Sequence, residues 1–175
     1  MLEQTSGEAL AHKFNRGSRQ GGGERGAEIV EFGLVLIPML ALMFLAVNTA
    51  WAFFARATLQ EAVREGVRFG VIGTPFQGSC LDASIKQVVA QYSMGFLNSS
   101  NQSVISIAYY SPTNTGTNLA GQAGATAGGN ILQVNVSGLT LNSLAPLGGS
   151  ASPLSLSASA TDVLESSPNN IPPCE

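Results

Sequence analysis

The sequence predicts an α+β protein, with a long N-terminal helix, a short second helix and a small antiparallel β-sheet. Three observations predict it. From Phe32 to Ala55 no side chain is charged, and only Asn48 and Thr49 are plainly polar. Leu59, Val63, Gly66, Val67 and Gly70 then recur at helical spacing. Further on, short segments of β-branched, aromatic or alternating residues are separated by Gly- and Pro-rich stretches.

Residues 1–26 carry Lys13, Arg16, Arg19 and Arg25 with a run of glycines at Gly21–Gly23 and no apolar periodicity, which reads as a mildly basic leader. The apolar run that follows, about 24 residues long, makes a helix of about 36 Å, enough to cross a hydrocarbon core of about 30 Å. It is too long for the apolar core of a secretory signal, about 7–15 residues, although Ala50-Trp51-Ala52 has the small-x-small form of a cleavage site. Four basic residues precede the run, and Arg56, Arg64 and Arg68 follow it, so charge counting alone leaves the orientation open. Cysteine usage and a C-terminal region without Lys or Arg favour the N-terminus inside.

Helix formers continue from Ala55 to Arg68, with Glu61/Arg64 and Glu65/Arg68 spaced at i,i+3 on the remaining surface. Gly66 and Gly70 would let another backbone approach closely. Gly73 and Pro75 provide a stop, so one helix is expected over 27–73, with a kink or local melting at Pro38. An extracytoplasmic domain is expected over 74–175. Asp82 to Met94 reads as a helix, with Ile85, Val88, Val89 and Tyr92 on one face and Asp82 able to cap its start. Val104–Tyr110 reads as a strand, and a Thr/Asn/Gly/Ala loop covers 111–130. Leu132, Val134 and Val136 alternate with polar residues as a half-buried strand, 137–153 reads as turns, and 154–160 alternates Leu or Ala with Ser as a third strand. The tail from Ser167 to Glu175 holds three prolines and should lack regular structure.

Composition narrows the function. The 175 residues are 45% hydrophobic and only 11% charged, against about a quarter charged in ordinary soluble domains. No Lys or Arg follows Lys86, and the acids beyond it are Asp162, Glu165 and Glu175. Nucleic-acid binding needs clustered cations, so no nucleic-acid partner is expected. Cys80 and Cys174 belong to no C-x-x-C pair. In an oxidising compartment they can close a loop of about 94 residues, stabilising by about 4–5 kcal/mol in the chain-entropy model; otherwise they are two unrelated thiols. The sequons at Asn98, Asn101 and Asn135 follow from a Ser- and Asn-rich composition.

Arg25-Gly26-Ala27-Glu28-Ile29-Val30-Glu31-Phe32, the apolar run with Pro38, and Leu59-Gln60-Glu61-Ala62-Val63-Arg64-Glu65-Gly66-Val67-Arg68 together resemble the TadE-like family of the tight-adherence (Flp) pilus machinery. Leu156 to Thr161 looks like that family's C-terminal strand. In type IV pilin-like proteins a prepilin peptidase cuts after a glycine, and a glutamate stands fifth in the mature chain. The resemblance implies a cut between Gly26 and Ala27, with Glu31 as that fifth residue. It further implies a minor pilin or pseudopilin in the bacterial inner membrane, single-pass with its C-terminal domain outside the cytoplasm, and in the extracellular pilus after incorporation. The implied partners are the prepilin peptidase, other pilin-like subunits, the inner-membrane assembly platform and membrane lipid.

Cleavage would free an ammonium at Ala27 while Glu31 keeps a carboxylate at the same membrane depth. In a helix bundle a neighbour's amine can neutralise Glu31 and offset its desolvation; alone, Glu31 would be a snorkelled interfacial side chain. His12 lies in the leader, so the mature chain would hold no histidine for nucleophilic catalysis or for a metal site. No D-x-D-x-D-G calcium loop is present, and Asp162 with Glu165 should face solvent at a strand end. No enzyme activity, metal or cofactor is expected. Two other roles are compatible with these residues: the major subunit of an extracellular filament, and a membrane-anchored binding module that does not polymerise.

Overall fold

A computed structural model describes residues 24–142 and 153–165. The order is α1 (Glu24–Ile72), α2 (Leu81–Tyr92), a 3-10 turn (Gln102–Val104), β1 (Ile105–Tyr110), β2 (Ile131–Leu141) and β3 (Leu154–Val163). The three strands form one antiparallel sheet in the order β1-β2-β3, so the fold is α+β with a long apolar N-terminal helix. The chain divides into two compact units, Met1–Met43 and Phe44–Glu175. Most of the leader, residues 143–152 of the stretch read as turns, and the Pro-rich tail with Cys174 lie outside the described residues.

In the first unit the described residues belong to α1 alone. The helix runs unbroken through Pro38, so the local melting expected there does not occur. Nearly every side chain of this segment faces outward; Ile29, Leu34 and Ile37 are each at least 70% exposed.

The second unit carries the core. Along α1, Ala55, Leu59, Ala62, Val63 and Val67 are buried, as the helical spacing requires. Gly66 and Gly70 share that stripe, but side chains approach them rather than another backbone. A Cβ on Gly66 would lie 2.3 Å from Val89 Cγ2, and one on Gly70 would lie 2.4 Å from Leu132 Cδ2 and 2.8 Å from Ile85 Cδ1. On the outer surface Glu65 and Arg68 approach to 3.8 Å, whereas Glu61 and Arg64 do not pair among the described residues. The helix stops where Gly73 turns left-handed with φ 68°, its N–H donating to the Gly70 carbonyl at 3.1 Å.

α2 departs from the sequence reading at its start and at its last turn. Cys80, in extended conformation, is the N-cap, and Asp82 sits in the first turn without capping it. Ser84 ties the preceding loop down: its Oγ accepts the Phe76 N–H at 3.0 Å and donates to the Cys80 carbonyl at 2.9 Å. The buried face is Leu81, Ser84, Ile85, Val88 and Val89, whereas Tyr92 points outward and is 51% exposed.

β2 is longer than the alternation suggested. Val136 pairs with Ala158 and Leu139 with Leu156, so Ser137 and Gly138 oppose a single residue of β3 in a bulge. Gly138 takes φ 79° there, a value costly for any other residue. The bulge shifts the inward parity, so Leu132, Val134 and Val136 face the core and then Leu139 does. From β1 and β3, Ile105, Tyr109, Leu156 and Ala158 join that core. Side-chain amides fasten the 111–130 segment to the sheet and to itself. Asn118 Oδ1 accepts the Tyr109 N–H at 3.0 Å, and Asn130 Nδ2 donates to the carbonyls of Gly124 and Ala125 at 3.0 Å each.

Candidate assembly site

The first turns of α1 place Gly26, Ala27 and Glu31 on exposed helical backbone. A Cβ at Gly26 or Gly33 would meet no atom within 4 Å, so neither glycine is required by packing among the described residues. Glu31 begins a segment, within Gly26–Ile72, long and apolar enough to cross a membrane, whose most apolar window is wholly unburied in the chain itself. A glycine that nothing packs against, a carboxylate five residues on and an unburied apolar helix surface are therefore consecutive features of one element.

Sequence reasoning missed one polar pair in the folded unit. Tyr109, fully buried on β1, donates its hydroxyl proton to Asp82 Oδ1 on α2 at 2.5 Å. Burial pushes the Asp82 carboxyl above its ordinary value, against the opposing pull of the Tyr109 hydrogen bond and the Lys86 charge. Burial and the adjacent Asp82 both push the Tyr109 phenol upward, so it stays protonated. The pair buckles α2 to the sheet. The signal for it was an acid on a predicted helix and a tyrosine on a predicted strand, 27 positions apart and with no local pattern to couple them.

Among the described residues no group of three or more His, Cys, Asp or Glu side chains is gathered. Asp162 and Glu165 are exposed, and Asp162 Oδ1 accepts the N–H of Val163 at 2.8 Å. An open groove lies between Asn48, Thr49 and Arg56 of α1 and Leu154–Ser157 of β3; it holds hydroxyls, an amide and one cation, and no acid–base pair. Cys80 is half-buried at the α2 N-cap and is not a free thiol, while Cys174 lies outside the described residues. A ring cluster of Trp51, Phe54 and Phe96 was likewise not foreseen, because Phe96 belongs to no periodic element.

α1 thus joins a long unburied apolar stretch to the buried core of a small α+β unit. Over that helix, residues 26–68 match the family described as TadE-like protein, a family associated with the tight-adherence pilus. The matched stretch begins at Gly26 and ends at Arg68, taking in Glu31, the apolar run and the amphipathic continuation. No curated protein and no solved structure matches the chain.

Proposed function

We propose that this chain is a non-catalytic structural subunit of a tight-adherence (Flp-type IV) pilus system, a minor pilin or pseudopilin held in the bacterial inner membrane by α1 with its C-terminal unit outside the cytoplasm. The observation that carries this reading is the unburied apolar surface of α1, which begins in its first turns beside Glu31 and lies within the family match. Apolar helix surface of that extent needs lipid or other helices around it. The same surface serves both: lipid while the subunit is anchored, and the helices of other pilin-like subunits after assembly.

In this reading a prepilin peptidase removes residues 1–26. Glycine at the cut leaves no side chain to obstruct the enzyme, and Gly26 has no packing role that would otherwise account for it. The new Ala27 ammonium of one subunit then meets the Glu31 carboxylate of another. That pairing relieves two charges that would each be costly in hydrocarbon. The assembly platform in the inner membrane engages the subunit before incorporation. Cys80 bridges to Cys174, the other cysteine of the chain, which tethers the Pro-rich tail to the start of α2.

Replacing Gly26 with leucine tests the processing step. N-terminal sequencing of the membrane form should read from Ala27 in the native protein and find the uncut leader in Gly26→Leu. A native protein that keeps its leader in cells with a working prepilin peptidase would contradict it.

A further inference from the structure

Beside the last turns of the apolar run, apolar side chains from separate segments meet, with Trp51 and Phe96 half-buried and Phe54 exposed. Trp51 and Phe54 stack on α1 with ring centroids 5.8 Å apart, and Phe96 closes the cluster at 5.6 Å from Trp51 and 6.3 Å from Phe54. Phe96 comes from the turn after α2, where Met94 projects 74% exposed. On another side, Phe53 and Leu154 border the groove and are 66% and 48% exposed.

The turn is built to hold this position. Met94 is the one described non-glycine residue with positive φ, 52°, a conformation that costs about 1–2 kcal/mol for a side chain of this kind. It is fixed from beneath by Ser93, whose buried Oγ donates to the Ala90 carbonyl at 2.7 Å and accepts the Leu97 N–H at 3.0 Å. Asn101 adds a bond from its Nδ2 to the Phe96 carbonyl at 3.0 Å. A methionine held outward in this way gains nothing from water.

The level of the cluster identifies what covers it. Arg56 is the first charge after the apolar run. At about 1.5 Å per residue, Trp51 and Phe54 precede it by about 3–8 Å along the helix axis. One interfacial layer of a bilayer is about 5–8 Å thick. Tryptophan concentrates in that layer, where its apolar body and its N–H are both satisfied, and phenylalanine accompanies it on the apolar faces of interfacial segments.

We propose that the Ser93–Leu97 turn lies in the headgroup layer of the bilayer that α1 enters, with Met94 and Phe96 immersed beside Trp51 and Phe54, so that the folded unit is seated on the membrane rather than held off it on a stalk. This rests on the anchored reading of α1, and the test separates the two. Trp51 is the single tryptophan of the chain, so the full-length protein in phosphatidylcholine vesicles brominated close to the headgroup or close to the chain ends reports depth through quenching. Native Trp51 should lose most of its emission to the shallow bromines. In a Trp51→Phe background, Met94→Trp should be quenched by the shallow bromines to a similar extent, and Phe76→Trp, beyond the other end of α1, should keep its emission.

A quenched Trp51 with an unquenched Met94→Trp would leave the anchor intact and overturn the seating. A Met94→Trp emission that is blue-shifted yet unquenched would mean that protein, not lipid, covers the turn, and would also overturn it. Absence of quenching at every position would remove the membrane reading of α1 and the seating with it. Phe96→Trp in the same background, which keeps an aromatic ring in the cluster, supplies the reading where Met94→Trp does not fold.

Discussion

Asp82 shows at the residue scale how a tertiary contact redirects a side chain. An aspartate in the first turn of a helix favours that position through the helix dipole, but here the carboxylate turns to the sheet and accepts a buried phenol. Because the folded state raises its pKa, mainly through burial, it holds its proton more tightly than the unfolded chain does. Its contribution is therefore most favourable below the ordinary carboxyl value of 3.8 and falls as pH rises from there through the raised folded value. Asp82→Asn keeps an oxygen for the Tyr109 hydroxyl and has no charge to desolvate. Thermal unfolding followed against pH should find Asp82→Asn at least as stable as the native protein at neutral pH and lacking this component of the pH dependence. A variant that is less stable at neutral pH would show that the ionised carboxylate, not the oxygen alone, holds Tyr109.

Between elements, the close contact of α1 with α2 and β2 depends on two missing side chains. At Gly66 the obstacle is the γ-methyl of Val89, whose β-branched side chain has little rotamer freedom on a helix. At Gly70 the obstacles are the ends of Leu132 and Ile85, which have a second torsion about which to turn aside. Overpacking of this kind costs about 1–3 kcal/mol, against about 1 kcal/mol returned by alanine's higher helix propensity. Gly66→Ala should therefore lower the unfolding midpoint, and Gly70→Ala should lower it less. Gly33→Ala, which meets nothing, should not lower it. Denaturant unfolding of the three variants measures this; equal stability for Gly66→Ala and Gly33→Ala would mean that the helices have room to separate.

The elements differ in how openly the sequence announced them. α1 was legible because an uncharged run and then a helical stripe persist through more than ten turns of helix, and the TadE-like pattern lies on the same residues. β3 was legible because Leu156 and Ala158 alternate with serines without interruption, although the strand continues three residues further, to Val163. β2 was legible only up to Val136. The Gly138 bulge breaks the period of two, and a broken period next to glycine looks like a turn. Tyr92 fits the α2 stripe by spacing, yet at the last turn it lies beyond the surface that the helix buries. The Gly26–Glu31 spacing could be read directly, since it is local. The Asp82–Tyr109 pair and the Trp51–Phe54–Phe96 cluster could not, since each joins residues brought together only by folding.

Across the molecule, α1 belongs to two environments, with its first half apolar and unburied and its second half in the core of the folded unit. The proposed bridge from Cys80 to Cys174 adds a long covalent loop to that unit. Closing about 94 residues stabilises by about 4–5 kcal/mol in the chain-entropy model. Non-reducing peptide mapping of protein taken from its native compartment should find one linked pair, and Cys174→Ser should unfold at lower temperature. Free thiols at both positions would contradict the bridge and remove one support for an extracytoplasmic C-terminal unit.

The assembly role depends most directly on Glu31. A charge at the centre of a membrane helix costs about 2.5–3.5 kcal/mol on insertion scales and less towards the edge, so a simple anchor would insert as well or better without it. A subunit that pairs Glu31 with a neighbour's Ala27 ammonium would instead leave that ammonium uncompensated when the carboxylate is removed. Shear fractionation with in-cell crosslinking of Glu31→Ala measures the difference. The variant is expected to insert and to be processed as the native protein is, yet to be missing from sheared pili and from crosslinks with other pilin-like subunits; unchanged incorporation of Glu31→Ala would contradict the assembly role and leave α1 as an anchor alone.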